Sequence, residues 1–164
     1  MVTFNKLWEN HPTITGEDAP CSKNGKPNFS NQCAIRLGVA LQKSGVDTRK
    51  MPGVRHCWQH KKAEGHILAA EELSKSLNNF KVQGIQTAQS INPKTYKTDL
   101  AGQTGIILFK DYWTRRGETN PTGDHIDLWN GSRITDWRSW LRIRFDVVIP
   151  GVWEDLKKSN EITF

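Results

Sequence analysis

The sequence predicts an α+β fold, with helices packed on one face of an antiparallel sheet. Two observations carry that expectation. Helical patterns fill the first half of the 164-residue chain, at residues 3–10, 29–45 and 65–78, whereas β-branched and aromatic runs fill the second, at 105–113, 124–137 and 145–149. The pair Asn130-Gly131 lies inside the second of those runs, and both residues tolerate the positive φ of a type I′ hairpin turn. The length suits one domain, 1–164, able to bury a core without disulfide or metal staples. No internal repeat, linker or low-complexity segment interrupts it.

Taken in order, Thr3 to Asn10 reads as a short amphipathic helix with Phe4, Leu7 and Trp8 on one side. Residues 11–28 read as loop, with three prolines and two glycines, some of them in the turn cluster Lys23-Asn24-Gly25-Lys26-Pro27. The segment from Ser22 to Asn31 is a candidate groove wall. Phe29 to Gly45 is the stretch the rest is organised around. Ser30 and Asn31 are both good N-caps. The apolar positions Ala34, Leu37, Gly38 and Leu41, widened by Ile35 and Val39, have the period of a buried helix that Gly45 would end. Cys33 falls in its first turn, where free backbone N–H groups and the helix dipole favour a thiolate. A small buried packing residue is the alternative there.

Val46 to His60 has no regular pattern, and Gly65 to Asn78 reads as a second helix with Ile67, Ala70, Leu73 and Leu77 on its apolar face. Phe80 to Ala101 gives no clear signal. Gly105 to Trp113 reads as a buried strand, residues 116–123 as a turn-rich loop, and Phe145 to Ile149 as one more strand.

Seventeen acidic against 23 basic residues leave a net charge of +6, which suits an anionic partner such as a nucleic acid, an anionic lipid or an acidic wall polymer. The positive charge is scattered in short pairs, with no basic tract or nucleic-acid motif, so nucleic acid is not the expected partner. No apolar run is long enough to span a bilayer. The first residues lack a signal-peptide core, which fits synthesis in the cytoplasm and export by a route needing no cleaved signal. Three cysteines leave at least one thiol free, and Cys21 with Cys57 is the candidate disulfide in an oxidising compartment. His56-Cys57-x-x-His60, with His66 beyond, has metal-ligand residue types. It lacks the spacing of a zinc finger or zinc protease, so it reads as a solvated loop.

If Asn130-Gly131 is a two-residue loop, counting outward pairs Trp129 with Ser132, Leu128 with Arg133, Asp127 with Ile134, Ile126 with Thr135 and His125 with Asp136. His125 and Asp136 then face each other across the hairpin, with Asp127 the rival carboxylate two residues along on the same face. An imidazole held by a carboxylate and brought near a helix-start cysteine makes a Cys33–His125–Asp136 triad. The thiolate attacks, the imidazole carries the proton, and the carboxylate fixes the ring. The bland alternative is a surface cross-strand pair worth roughly 0.2–1 kcal/mol. Trp129, Trp137 and Trp140 suit either a substrate groove or the core.

The motifs Asn31-Gln-Cys-Ala-Ile-Arg-Leu37 and Gly123-Asp-His-Ile-Asp-Leu-Trp-Asn-Gly131, followed by Asp136, resemble the type VI secretion amidase effectors of the fourth family. The resemblance implies a compact NlpC-type, papain-like peptidase fold, with Cys33 as nucleophile, His125 as base and Asp136 as third member. It implies a toxin injected by type VI secretion components into the periplasm of rival Gram-negative bacteria. There it would cut the γ-D-glutamyl–meso-diaminopimelate bond of peptidoglycan stem peptides. It also implies no metal or cofactor, and a cognate periplasmic immunity protein that blocks the groove. The backbone N–H of Cys33 is a candidate oxyanion donor. Two other readings stand beside this one: an amidase with a different acyl substrate, and a non-catalytic module that binds an anionic polymer.

Overall fold

The computed structural model describes residues 1–113, 118–120, 122–136 and 159–164. The chain forms two compact units, Met1–Thr87 and Ala88–Phe164.

The first unit is built around one buried helix. Its opening helix, α1 (Phe4–Glu9), is capped by Thr3, whose Oγ1 accepts from Lys6 N–H at 3.4 Å. The segment expected to be all loop contains two short elements. Pro12 at N1 starts α2 (Pro12–Thr15), and Asn24-Gly25 turns a small hairpin, β1 (Ser22–Lys23) with β2 (Lys26–Pro27). Asn24 and Gly25 both have positive φ, 52° and 73°, as a type I′ turn demands. The central helix α3 runs from Cys33 to Lys43 and buries every residue from Cys33 to Leu41 except Arg36. Ser44 caps it, and Gly45 at φ 96° lets Val46 N–H return to the Leu41 carbonyl, closing the end in the left-handed manner glycine permits.

After α3, two 3₁₀ turns (Thr48–Lys50 and Lys62–Glu64) punctuate an irregular stretch, and α4 follows at Ala70–Asn79. The second helix therefore begins five residues later than its apolar period suggests. Residues 65–69 are non-helical instead, with Gly65 in the left-handed region at φ 79°. Ile67 bridges His56, Cys57 N–H bonds the His66 carbonyl at 2.8 Å, and Leu68 N–H bonds the Arg55 carbonyl at 2.9 Å. The side chain of Ile67 is fully buried, but as part of a bridge; the helix starts where Glu71 and Glu72 suit its positive end. This loop crosses α3 at Gly38. A Cβ on Gly38 would drive into the Gly65 carbonyl oxygen and sit 3.3 Å from its carbon, so glycine here is what lets the two backbones touch.

Among the described residues, the second unit holds a four-stranded antiparallel sheet in the order β3-β6-β4-β5, from β3 (Ser90–Ile91), β4 (Gly105–Trp113), β5 (Gly123–Trp129) and β6 (Glu161–Thr163). The long strand matches its sequence boundaries. The ladder between β4 and β5 runs Gly105↔Trp129 to Phe109↔His125, then breaks at Asp111, whose φ is 51° and whose N–H bonds Asp124 Oδ1 at 3.0 Å. Helix α5 (Tyr96–Asp99) contributes Tyr96 to a core with Leu100, Ile107, Phe109, Trp129, Ile134 and Ile162. Trp129 is thus a core residue, its indole N–H bonded to the Leu100 carbonyl at 3.0 Å. Trp137, Trp140 and the expected strand at 145–149 lie outside the described residues.

The expected two-residue hairpin at Asn130-Gly131 is not what forms. Asn130 N–H bonds the Arg133 carbonyl at 3.0 Å, and the next bridge is Trp129↔Ile134, so the loop is four residues, 130–133. The Asn130 side chain causes this. Its Oδ1 accepts from the N–H groups of Ser132 (3.1 Å) and Arg133 (3.0 Å) and from Ser132 Oγ (3.2 Å), an Asx-type turn that replaces the tighter one. Trp129 therefore faces Ile134 and not Ser132, two residues on from the counted register.

Candidate active site

Cys33 is the first residue of α3 and is buried. The local structure places it through its two predecessors. The N-cap is Gln32, not Ser30 or Asn31, and the Gln32 side chain faces away from the helix. Its Oε1 accepts from Cys21 N–H at 2.8 Å, while Nε2 donates to the carbonyls of Cys21 (3.0 Å) and Phe29 (3.2 Å). Asn31 turns the other way: its Oδ1 accepts from Cys33 N–H at 3.1 Å. The amide suggested by the sequence as an oxyanion donor is therefore engaged, and it can serve an oxyanion only when the Asn31 side chain swings aside.

In the second unit, β5 presents His125. Its imidazole lies over the Phe109 ring directly across the ladder, centroids 6.5 Å apart and 26° from parallel. The ring retains 18% exposure, enough for an edge to meet a substrate. Two residues along the same face, Asp127 is buried, and its Oδ2 lies 3.4 Å from His125 Nε2. The carboxylate is fixed at its other oxygen, where Oδ1 accepts from Leu128 N–H and Thr135 Oγ1, each at 2.7 Å.

The shifted register changes the argument for Asp136. With Trp129 opposite Ile134, Asp136 does not stand directly across from His125, so direct opposition is not a reason to choose it. The Thr135–Asp127 bond nevertheless ties the residue before Asp136 to the strand end that carries His125. Asp136 itself is half-buried.

A second group of reactive side chains lies in the first unit. Cys57 is buried, with His60 half-buried beside it, so this segment is not the solvated loop that its spacing suggested. Cys21 joins them from the foot of β1. The Cys21 and Cys57 sulfurs are free thiols 3.4 Å apart, and His60 Nδ1 is 3.5 Å from each. The sequence paired Cys21 with Cys57 only as a candidate disulfide; what it missed is that His60 sits against both sulfurs, which here are free thiols. Burial pushes the Cys21 thiol up, with a smaller contribution from Cys57.

Among the described residues no helix is long and apolar enough to cross a membrane. No curated protein sequence matches the chain. Two solved structures do match in fold. The type VI effector–immunity complex Tae4–Tai4 from Enterobacter cloacae is 18% identical, aligns over 98% of this chain and 92% of that one, and gives a TM-score of 0.53. The Tae4 effector from Enterobacter cloacae solved alone is also 18% identical, over 83% and 85% of the two chains, with a TM-score of 0.54. That likeness establishes an α+β fold, as the order of helices and strands suggested, of the NlpC-type papain-like kind that the family resemblance implied. Residues 29–164, which begin just before the Cys33 helix and include the His125 strand, match the family model for type VI secretion system amidase effector protein 4. The motifs at 31–37 and 123–131 both lie within that match, and the chain belongs to this fourth family of type VI secretion amidase effectors, which are peptidoglycan amidases.

Proposed function

We propose that residues 1–164 act as a single amidase domain in which Cys33, His125 and Asp136 form the catalytic group. The scissile bond is the γ-D-glutamyl–meso-diaminopimelate bond of peptidoglycan stem peptides. The observation that carries this reading is the cysteine at the first position of a buried helix, within a chain of the amidase effector family. In the reaction, His125 takes the Cys33 proton and the thiolate attacks the γ-carbonyl carbon. The tetrahedral oxyanion collapses and expels the diaminopimelate amine, which takes the proton from the imidazolium. Water, deprotonated by His125, then hydrolyses the thioester and frees Cys33. Asp136 holds the imidazole in the tautomer this sequence needs, and Asp127 stiffens the strand beneath it. The chemistry calls for no cofactor.

By this reading the chain is made in the cytoplasm of the attacker and delivered by the type VI machinery into the periplasm of the target cell. A cognate periplasmic immunity protein protects the producer; the matching Tae4 effector of Enterobacter cloacae forms a complex with its immunity protein Tai4, which supports that expectation. The +6 charge favours approach to an anionic wall over a screened range of roughly 8–10 Å.

The test has two arms. Purified peptidoglycan incubated with the protein should release fragments with new γ-D-glutamyl carboxyl and diaminopimelyl amino termini by mass spectrometry. Cys33→Ala should lower that rate on the order of 10³-fold or more. In a susceptible Gram-negative host, lysis should require an added secretory signal and an intact Cys33. New termini elsewhere in the stem would redirect the substrate, and a Cys33→Ala protein that digests wall at the wild-type rate would remove the nucleophile.

A further inference from the structure

We infer that Cys21, Cys57 and His60 form a zinc site, separate from the amidase chemistry, that clips the β1–β2 hairpin and the loop after α3 together behind the start of that helix. The geometry points to a metal through the position of the histidine. His60 Nδ1 is 3.5 Å from both sulfurs, and the sulfurs are 3.4 Å from each other, so the three atoms form a nearly equilateral triangle. Tetrahedral zinc with Zn–S bonds of about 2.3 Å and a Zn–N bond of about 2.0–2.1 Å sets edges of about 3.8 Å for S–S and about 3.6 Å for S–N. The triangle matches one face of that tetrahedron to within a few tenths of an ångström. A disulfide would instead have to draw the sulfurs in to about 2.05 Å, and it gives the imidazole no reason to be equidistant from them.

The surroundings fit the same occupant. Both cysteines are buried, Cys21 fully, and Asn28 Nδ2 donates toward Cys21 Sγ at 3.4 Å, the kind of bond that steadies a metal-bound thiolate. His66 stacks on His60 with ring centroids 4.2 Å apart, and its buried Nδ1 has no hydrogen-bond partner among the described residues. The ligand atoms of Cys21, Cys57 and His60 lie within 4.8 Å of one another and no other described His, Cys, Asp or Glu joins them, so a bound water takes the fourth position. Cys57-x-x-His60 provides two ligands from one turn, and Cys21 the third from a distant hairpin, the usual way a structural zinc cross-links a chain. On binding, two thiols lose their protons to solvent as two Zn–S bonds form. Zn²⁺ then carries the charge that two adjacent buried thiolates could not hold alone.

The experiment uses full-length Cys33→Ala protein, so that neither toxicity nor the nucleophile's own thiol enters the reading. After purification without chelators from zinc-supplemented culture, elemental analysis should find one zinc per chain. Cobalt exchange should give a near-ultraviolet sulfur-to-cobalt band. Cys21 and Cys57 should resist alkylation until a chelator is added, and the melting temperature should fall when the metal is removed. Adding Cys57→Ser or His60→Gln should reduce the zinc content to background while circular dichroism shows the fold retained. Background zinc in the Cys33→Ala parent, with no cobalt band, overturns the site. So does an intact mass two hydrogens short, which would mark a Cys21–Cys57 disulfide. Neither result bears on wall cleavage, so this inference and the amidase reading fail independently.

Discussion

Replacing Gly38 by alanine should destabilise the protein by about 2 kcal/mol, although the same change in an isolated helix would stabilise it. Helix propensity favours alanine by about 1 kcal/mol. Against this, the new methyl group meets the Gly65 carbonyl, an atom of the backbone and not the end of a flexible side chain. That carbonyl cannot retreat easily. Its loop is held by the His56–Ile67 bridge and the Cys57–His66 bond, and Ile67 behind it is fully buried. Overpacking costs about 1–3 kcal/mol, and a pinned backbone atom belongs at the upper end of that range. The difference of about 2 kcal/mol corresponds to a fall of about 4–8 °C in melting temperature for a chain of this length. Thermal melts followed by far-ultraviolet circular dichroism, with a urea midpoint alongside, measure it. A Gly38→Ala melting temperature equal to or above wild type would mean that propensity dominates and that the two backbones do not meet as described.

The two carboxylates near His125 should separate by phenotype. Asp136→Ala is expected to reduce turnover with little change in melting temperature. Asp127→Ala leaves Leu128 N–H and Thr135 Oγ1 unpaired, at about 1–3 kcal/mol per buried group, and should show first as lost stability. If Asp127→Ala lowers kcat/KM more than Asp136→Ala at equal folded fraction, Asp127 is the third member of the group. At acid pH, the Arg49 hydrogen bond and charge hold the Asp47 carboxyl at about 2, below its ordinary value of 3.8. The stability from this depressed group is present above pH 3.8 and is lost as pH falls from there toward 2. Arg49→Ala should therefore melt below wild type near pH 6, with the gap narrowing through that window; a gap independent of pH would rule out the ion pair as its source.

The same dipeptide shows how far local sequence rules reach. Asn24-Gly25 and Asn130-Gly131 carry the same turn signal, and the tight two-residue hairpin forms only at the first. At the second, the Asn130 side chain captures the following N–H groups, Ser132 adds its hydroxyl, and Gly131 sits against Gly102, whose N–H bonds the Gly131 carbonyl at 3.0 Å. Those are contacts a residue pair cannot encode by itself, so the register counted from it was displaced. Long, strongly patterned elements were legible: α3 and β4 lie where their apolar periods put them. Strands of two or three residues, such as β3 and β6, were not, because they are defined by partners distant in sequence. The place of Cys33 at a helix start and of His125 on a strand could be read directly. Of the thiol–imidazole cluster, the Cys21–Cys57 pair could be read as a candidate disulfide, whereas the place of His60 between them could not, because it depends on how an irregular loop folds back.

Gln32 gives the approach to Cys33 an unusual grammar. Its amide pairs with both the N–H and the carbonyl of Cys21, as a neighbouring strand's backbone would, and a further bond reaches the Phe29 carbonyl. A side chain is thus acting as one rung of a sheet, spanning a gap that main chain does not fill. Only a group with an acceptor and two donors in one plane satisfies that rung: glutamate would face two carbonyls with no proton to offer, and leucine would orphan three buried atoms. Position 32 is therefore restricted by hydrogen-bond valence and not by size. The peptide unit that carries the amide of Cys33 inherits its orientation from the hairpin eleven residues upstream.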